Sequence, residues 1–144
     1  MNSIILISGG FDPLHSGHIA MIEEAGKYGK IVVLLNSDKW LINKKGKFFL
    51  PFKERSIIML ALKNVVDVIE FNDDDQTCIN GIRKAIEKYS NKKIKFANGG
   101  DRGLKNTPTN EKEFCEKNGI ENIWEVGGDF KKNSSSWILK RWEK

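Results

Sequence analysis

Apolar residues fall along this chain in two spacings. Short, mainly apolar runs occur at Ile4 to Ile7, Ile31 to Leu35, Val65 to Phe71, Ile94 to Ala97 and Ile123 to Val126. Between them apolar positions recur every three or four residues, as in Ile19, Ile22, Ala25 and Tyr28, and again in Ile79, Ile82, Ala85, Ile86 and Tyr89. The first pattern belongs to strands covered on both faces, the second to one face of a helix. Gly29 and Gly119 stand where a helix should stop, and Ser8-Gly9-Gly10 ends the first run in a glycine turn.

These signals predict strands at the five runs and a helix from the region of Ile19 to Gly29. Asp38 to Leu41 reads as a short turn and Ile42 to Phe52 as a basic, aromatic loop, followed by a helix from about Lys53 to Lys63. Further helices are expected around 79–89, from Glu111 to Asn118 and from Ser134 to Trp142, with a polar loop from Asn98 to Asn110. Strands and helices alternate almost throughout, and doubly covered strands need helices on both sides. The expected architecture is therefore α/β: a Rossmann-like, doubly wound, five-stranded parallel sheet with helices on both faces. Residues 1–144 read as a single domain, since a chain of this size hides about 70% of its unfolded surface in one core.

Composition narrows the setting more than the chemistry. At 40% hydrophobic and 30% charged the chain is globular, and its net charge of +5 favours an anionic partner without choosing one. Cys78 and Cys115 lie far apart with no C-x-x-C spacing, which argues against a zinc site or a disulfide framework and for reduced thiols. Met1 to Ser8 shows no basic leader or cleavage site, and no run approaches the ~18 apolar residues of a membrane span, so a cytoplasmic protein with no membrane partner is expected. Trp40, Phe48 and Phe49 lie beside lysines in one loop and could stack nucleic-acid bases, but no recognised module accompanies them, so no nucleic-acid partner is expected.

In open α/β sheets ligands bind beyond the carboxyl ends of the strands, which singles out the loop after the first strand. That loop runs Gly9-Gly10-Phe11-Asp12-Pro13-Leu14-His15-Ser16-Gly17-His18. Two glycines allow close approach of a ligand to the backbone, and His15 and His18, spaced i and i+3, share one face of the first helical turn. A helix N-terminus already favours phosphate, so two imidazoles there make an anion cradle. Zinc is the weaker reading, because the two histidines lack further ligands at suitable spacing.

The segment from residue 9 to 18 resembles the H-x-G-H signature of the cytidylyltransferase-like nucleotidyltransferases. Similarity continues in Asn36-Ser37-Asp38, Lys45-Gly46, Pro51, Arg55, Ala61-Leu62, Val66-Asp67, Gly99-Gly100-Asp101 and Ser134-Ser135-Ser136, in the order seen in heptose-phosphate adenylyltransferases and glycerol-phosphate cytidylyltransferases. The resemblance implies transfer of CMP or AMP from CTP or ATP to a phosphorylated sugar or polyol, with release of pyrophosphate. It implies Mg²⁺ carried mainly by the triphosphate, and no protein metal ligands. His15, His18, Lys45 and Arg55 are the implied catalytic residues. Gly9, Gly10, Phe11, Asp12, Lys44, Gly100, Asp101, Ser134, Ser135 and Ser136 are the implied nucleotide contacts.

Within these, Lys44 and Lys45 compete for the ammonium over the phosphates, and Asp12 is either a help to Mg²⁺ or a loop-ordering residue. The chain departs from the glycerol-phosphate branch in Gly127 to Asn133, which lacks an Arg-Thr pair, and in the long 102–110 loop. The alternatives are an adenylyltransferase of the pantetheine-phosphate or nicotinate-mononucleotide type, and a nucleotide-binding regulatory module. Relatives are often homodimers, and the loop aromatics are compatible with one.

Overall fold

The computed structural model describes residues 3–99, 109–126 and 135–142. Five strands, β1 (Ser3–Gly9), β2 (Lys30–Leu35), β3 (Val65–Glu70), β4 (Lys93–Gly99) and β5 (Glu121–Val126), form one sheet in the order β3-β2-β1-β4-β5. Every neighbouring pair is parallel. The helices are α1 (Ser16–Ala25), α2 (Asp38–Lys45), α3 (Phe52–Leu60), α4 (Ile79–Lys88), α5 (Thr109–Lys117) and α6 (Ser135–Trp142).

The period of two along each strand divides the core into two layers. Ile4, Leu6, Val32 and Leu34 face Ile82 and Ala85 of α4 and Cys115 of α5. Ile5, Ile7, Val33 and Leu35 face the other way, onto Ile22 and Ala25 of α1 and Met59 of α3. Residues 5–7 and 31–35 have no measurable exposure, and each fully buried aliphatic side chain there contributes about 1.5–3 kcal/mol. This is the reason the central strands read as unbroken apolar runs. The doubly wound parallel sheet is as expected.

The segment from Asp38 to Lys45, expected as a turn leading into a loop, is a helix. Ser37 caps it by accepting the Trp40 N–H at 3.0 Å, and Gly46 ends it in the left-handed region at φ 85°. Asp38 in its first turn and Lys44 and Lys45 in its last match the helix dipole. Leu41 is its one buried residue, so almost no apolar period marks it. The helix places Lys45 at its carboxyl end, facing back toward the β1–α1 loop.

From β1 the chain crosses to β2 on the α1 face, and from β3 it returns to β4 on the α4 face. The switch point therefore lies between the carboxyl ends of β1 and β4, where ligands settle in sheets of this kind.

Candidate active site

Gly10 to His15 connect β1 to α1 over that switch point. Gly10 is required by close packing: a Cβ there would come within 2.6 Å of Leu41 Cδ2, in a buried side chain of α2. Phe11 follows in the left-handed region at φ 49°, a conformation costing a non-glycine residue about 1–3 kcal/mol. Burial holds it there, and its ring meets His18 edge-on with centroids 4.8 Å apart.

His15 is the N-cap of α1. Its Nδ1 accepts the Gly17 N–H at 3.1 Å, and His18 Nδ1 reaches back to accept the His15 N–H at 3.3 Å. The pair forms a capping box built from two imidazoles. A ring nitrogen that accepts carries no proton, so each neutral ring carries its proton on Nε2. The rings stack at 3.8 Å between centroids and 24° between planes. Burial, with help from the neighbouring His15 and Lys45, lowers the His18 pKa to about 3. His18 is thus a neutral N–H donor at physiological pH.

Lys45 Nζ donates to the Asp12 carbonyl oxygen at 2.7 Å. Burial holds its pKa below the ordinary lysine range, against the opposing pull of Asp12. Lys44 lies 4.8 Å from the centroid of the Trp40 ring, on a different side of α2. Lys45 is close enough to His18 to help lower its pKa.

Asp12 is 1% exposed, and its two carboxylate oxygens accept the N–H groups of Phe49 and Leu50 at 2.6 and 2.7 Å. It orders the α2–α3 connection from the β1–α1 loop. Both its oxygens are thereby engaged, and no group of three His, Cys, Asp or Glu side chains suited to a metal occurs among the described residues. Phe49 is half exposed, with its ring edge-on to Trp142 at 6.4 Å.

Arg55, expected from the resemblance to contact phosphate, is instead built into the interior. Its guanidinium donates to the carbonyls of Leu50 at 2.9 Å, Gly10 at 3.0 Å and Asn36 at 2.8 Å, and to Asp38 Oδ1 at 2.6 Å. The side chain has no exposed surface. One planar fork thus ties the β1–α1 loop, the end of β2 and the approach to α3 together.

A second buried acid, Asp73, fixes the β2–α2 junction through Asn36 Nδ2 at 3.1 Å, Ser37 N–H at 2.8 Å and Ser37 Oγ at 2.7 Å. Sequence reasoning missed it, because its partners lie 36 and 37 residues away along the chain. Ser135 and Ser136 open α6. Gly100, Asp101, Ser134 and the 102–108 part of the long loop lie outside the described residues.

The parallel sheet thus carries a glycine turn, two imidazoles and an ammonium at its switch point. Residues 6–142 match the family described as Cytidylyltransferase-like, and the chain belongs to that family of nucleotidyltransferases. It is 32% identical over 111 residues to the Bifunctional protein HldE of Enterobacter sp. (strain 638), and 31% identical over the same length to that of Salmonella arizonae. Those matches take in 68% of this chain and 23% of the relatives, so the chain corresponds to less than a quarter of their length.

Among solved structures, a lipopolysaccharide core biosynthesis protein from Thermoplasma volcanium superposes with a TM-score of 0.62 at 21% identity, over 84% of this chain and 92% of that one. A proposed nicotinate-nucleotide adenylyltransferase from Vibrio parahaemolyticus gives 0.62 at 18% identity, over 97% and 86%. At these identities the likeness speaks for the fold. Among the described residues no helix is long and apolar enough to cross a membrane.

Proposed function

We propose that this chain transfers CMP or AMP from a magnesium-bound CTP or ATP to the phosphate of a sugar or polyol phosphate, releasing pyrophosphate. An acceptor phosphate oxygen forms the new bond to the α-phosphorus as the bond to the bridging oxygen of pyrophosphate breaks. Negative charge builds on the equatorial and leaving oxygens during that exchange. The carrying observation is the His15–His18 capping box. By accepting at Nδ1, each ring presents a neutral Nε2–H donor, preset in direction by the backbone it caps.

Lys45 supplies the charge the imidazoles lack. Its ammonium rests on the Asp12 carbonyl, a partner that a triphosphate oxygen can replace. The sugar or polyol branch is favoured by the order of Asn36-Ser37-Asp38 and Gly99-Gly100-Asp101 in the sequence. Two free buried thiols, Cys78 and Cys115, suit a reducing cytoplasm.

Incubation with CTP or ATP, Mg²⁺ and a panel of sugar and polyol phosphates tests the reading by pyrophosphate release. Release that requires both a triphosphate and an acceptor is the expected result. Triphosphate binding with no release for any pair would leave a binding module in its place.

A further inference from the structure

Among the described residues, Oδ1 of Asn98 is buried and has no hydrogen-bond partner. Asn98 is 2% exposed, and its Nδ2 donates to the Ile123 carbonyl at 3.2 Å and to Asn122 Oδ1 at 3.4 Å. Ile123 offers a backbone carbonyl, so the amide nitrogen must stay on that side and the oxygen on the other. A buried acceptor left unpaired costs about 1–3 kcal/mol, and native chains rarely keep one without a use for it.

Its position suggests the use. Strand alternation sets Asn98 on the α4/α5 face with Ile94 and Phe96. The pairing of β1 with β4 ends at Leu6 and Phe96, and Asn98 lies two residues further along β4, at the switch point. The β4–β5 register shifts between Ala97 and Gly99, with the extra residue on β5 opposite Asn98, and such irregularities are common beside functional sites.

The charge on the same face of the sheet bears on the ligand's chemistry. Glu111, 8% exposed, accepts the Cys78 N–H at the head of α4. The Glu111 carboxylate and an amide oxygen repel phosphate and welcome donors, whereas His15, His18 and Lys45 gather on the α1/α2 side. Phosphates are thereby sorted to one side of the sheet mouth and hydroxyls to the other.

We infer that Asn98 Oδ1 is the recognition acceptor for a substrate hydroxyl, carried either by the ribose of the triphosphate or by the carbon skeleton of the acceptor. This rests on the transfer reading above. Because Oδ1 is enclosed, the mouth must open to admit the hydroxyl, and the oxygen has little hydration to shed when it does.

The test is calorimetric binding on the whole chain. The probes are ATP and CTP with their 2′-deoxy and 3′-deoxy counterparts, and glycerol 3-phosphate and a hexose 1-phosphate with theirs. In the unaltered protein, loss of the recognised hydroxyl should weaken binding about tenfold, the equivalent of one good hydrogen bond. The series that shows the loss identifies the source. Asn98→Ala should bind the hydroxyl and deoxy forms equally, while Asn98→Asp, which keeps an acceptor, should still distinguish them.

Melting curves establish that both variants are folded. Equal binding within every pair by the unaltered protein, or undiminished discrimination by Asn98→Ala, overturns the assignment. Pyrophosphate release read in parallel separates the two ideas. Release without hydroxyl discrimination removes the role of Asn98 and leaves the transfer reading, whereas discrimination without release does the reverse.

Discussion

His15 and His18 hold one another in place: the His18 ring accepts the His15 N–H at 3.3 Å, and the two rings stack with centroids 3.8 Å apart. Structural and chemical duties are divided between the two nitrogens of each ring, Nδ1 for the backbone and Nε2 for the ligand. Substitutions can separate them. His18→Gln preserves the capping-box acceptor and His15→Asn preserves the N-cap, so both should fold normally. Each should lower turnover about 10²–10³-fold, the usual loss for one transition-state donor. The alanine variants should in addition lose about 0.5–2 kcal/mol of stability. Near-normal turnover in His18→Gln would remove that residue from the chemistry.

The depressed pKa of His18 fixes the sign of a pH effect. In the unfolded chain this imidazole takes up a proton near 6.5, and in the folded chain only at about 3. Between those values the unfolded state binds more protons, so stability contributed by His18 is complete above 6.5 and is lost as pH falls. Melting temperatures of the native protein should therefore fall more steeply than those of His18→Gln between about pH 6.5 and 4.5. Turnover should show no loss through His18 protonation in that window. Parallel melting curves for the two proteins would contradict the burial of a neutral ring.

Much of this was legible in the sequence, and the exceptions share a cause. The central strands and the H-x-G-H loop announce themselves because burial on both faces and a helix start leave dense local patterns. Helix α2 escaped because Leu41 alone is buried in it, although Ser37 and Gly46, its two caps, were in plain view. Reading caps before periodicity would have found it. The interior role of Arg55 was not legible, since its four acceptors come from residues 10, 36, 38 and 50, and three of them are backbone oxygens. An orphaned amide oxygen such as that of Asn98 likewise has no signature short of coordinates.

The Arg55 network predicts a stability defect. Removing the guanidinium in Arg55→Ala leaves three carbonyls and the partly exposed Asp38 carboxylate without their donor, and a buried acceptor left unpaired costs about 1–3 kcal/mol. Arg55→Lys should recover only part, because an ammonium cannot span four acceptors in a plane. Urea titration reads both. Where Arg55→Lys is folded, it should keep its affinity for triphosphate, as an internal tie would. A large loss of triphosphate affinity with unchanged stability would restore the phosphate contact.

Asp12 poses the same choice between holding the loop and holding a metal. Its two oxygens already accept from Phe49 and Leu50 at 2.6 and 2.7 Å. Asp12→Asn keeps one acceptor but turns an NH₂ toward the other backbone N–H, so donor meets donor and the pair cannot be rebuilt. The amide variant should consequently lose stability nearly as far as Asp12→Ala, by about 1–3 kcal/mol for the hydrogen bonds to a buried charge. Amide hydrogen exchange at Phe49 and Leu50 should quicken in both. The Mg²⁺ concentration that gives half-maximal turnover should stay where it is in the unaltered protein, since the loop and not the metal has lost its partner. A shift of that concentration to higher values, with exchange at the two amides unchanged, would make Asp12 a metal contact after all.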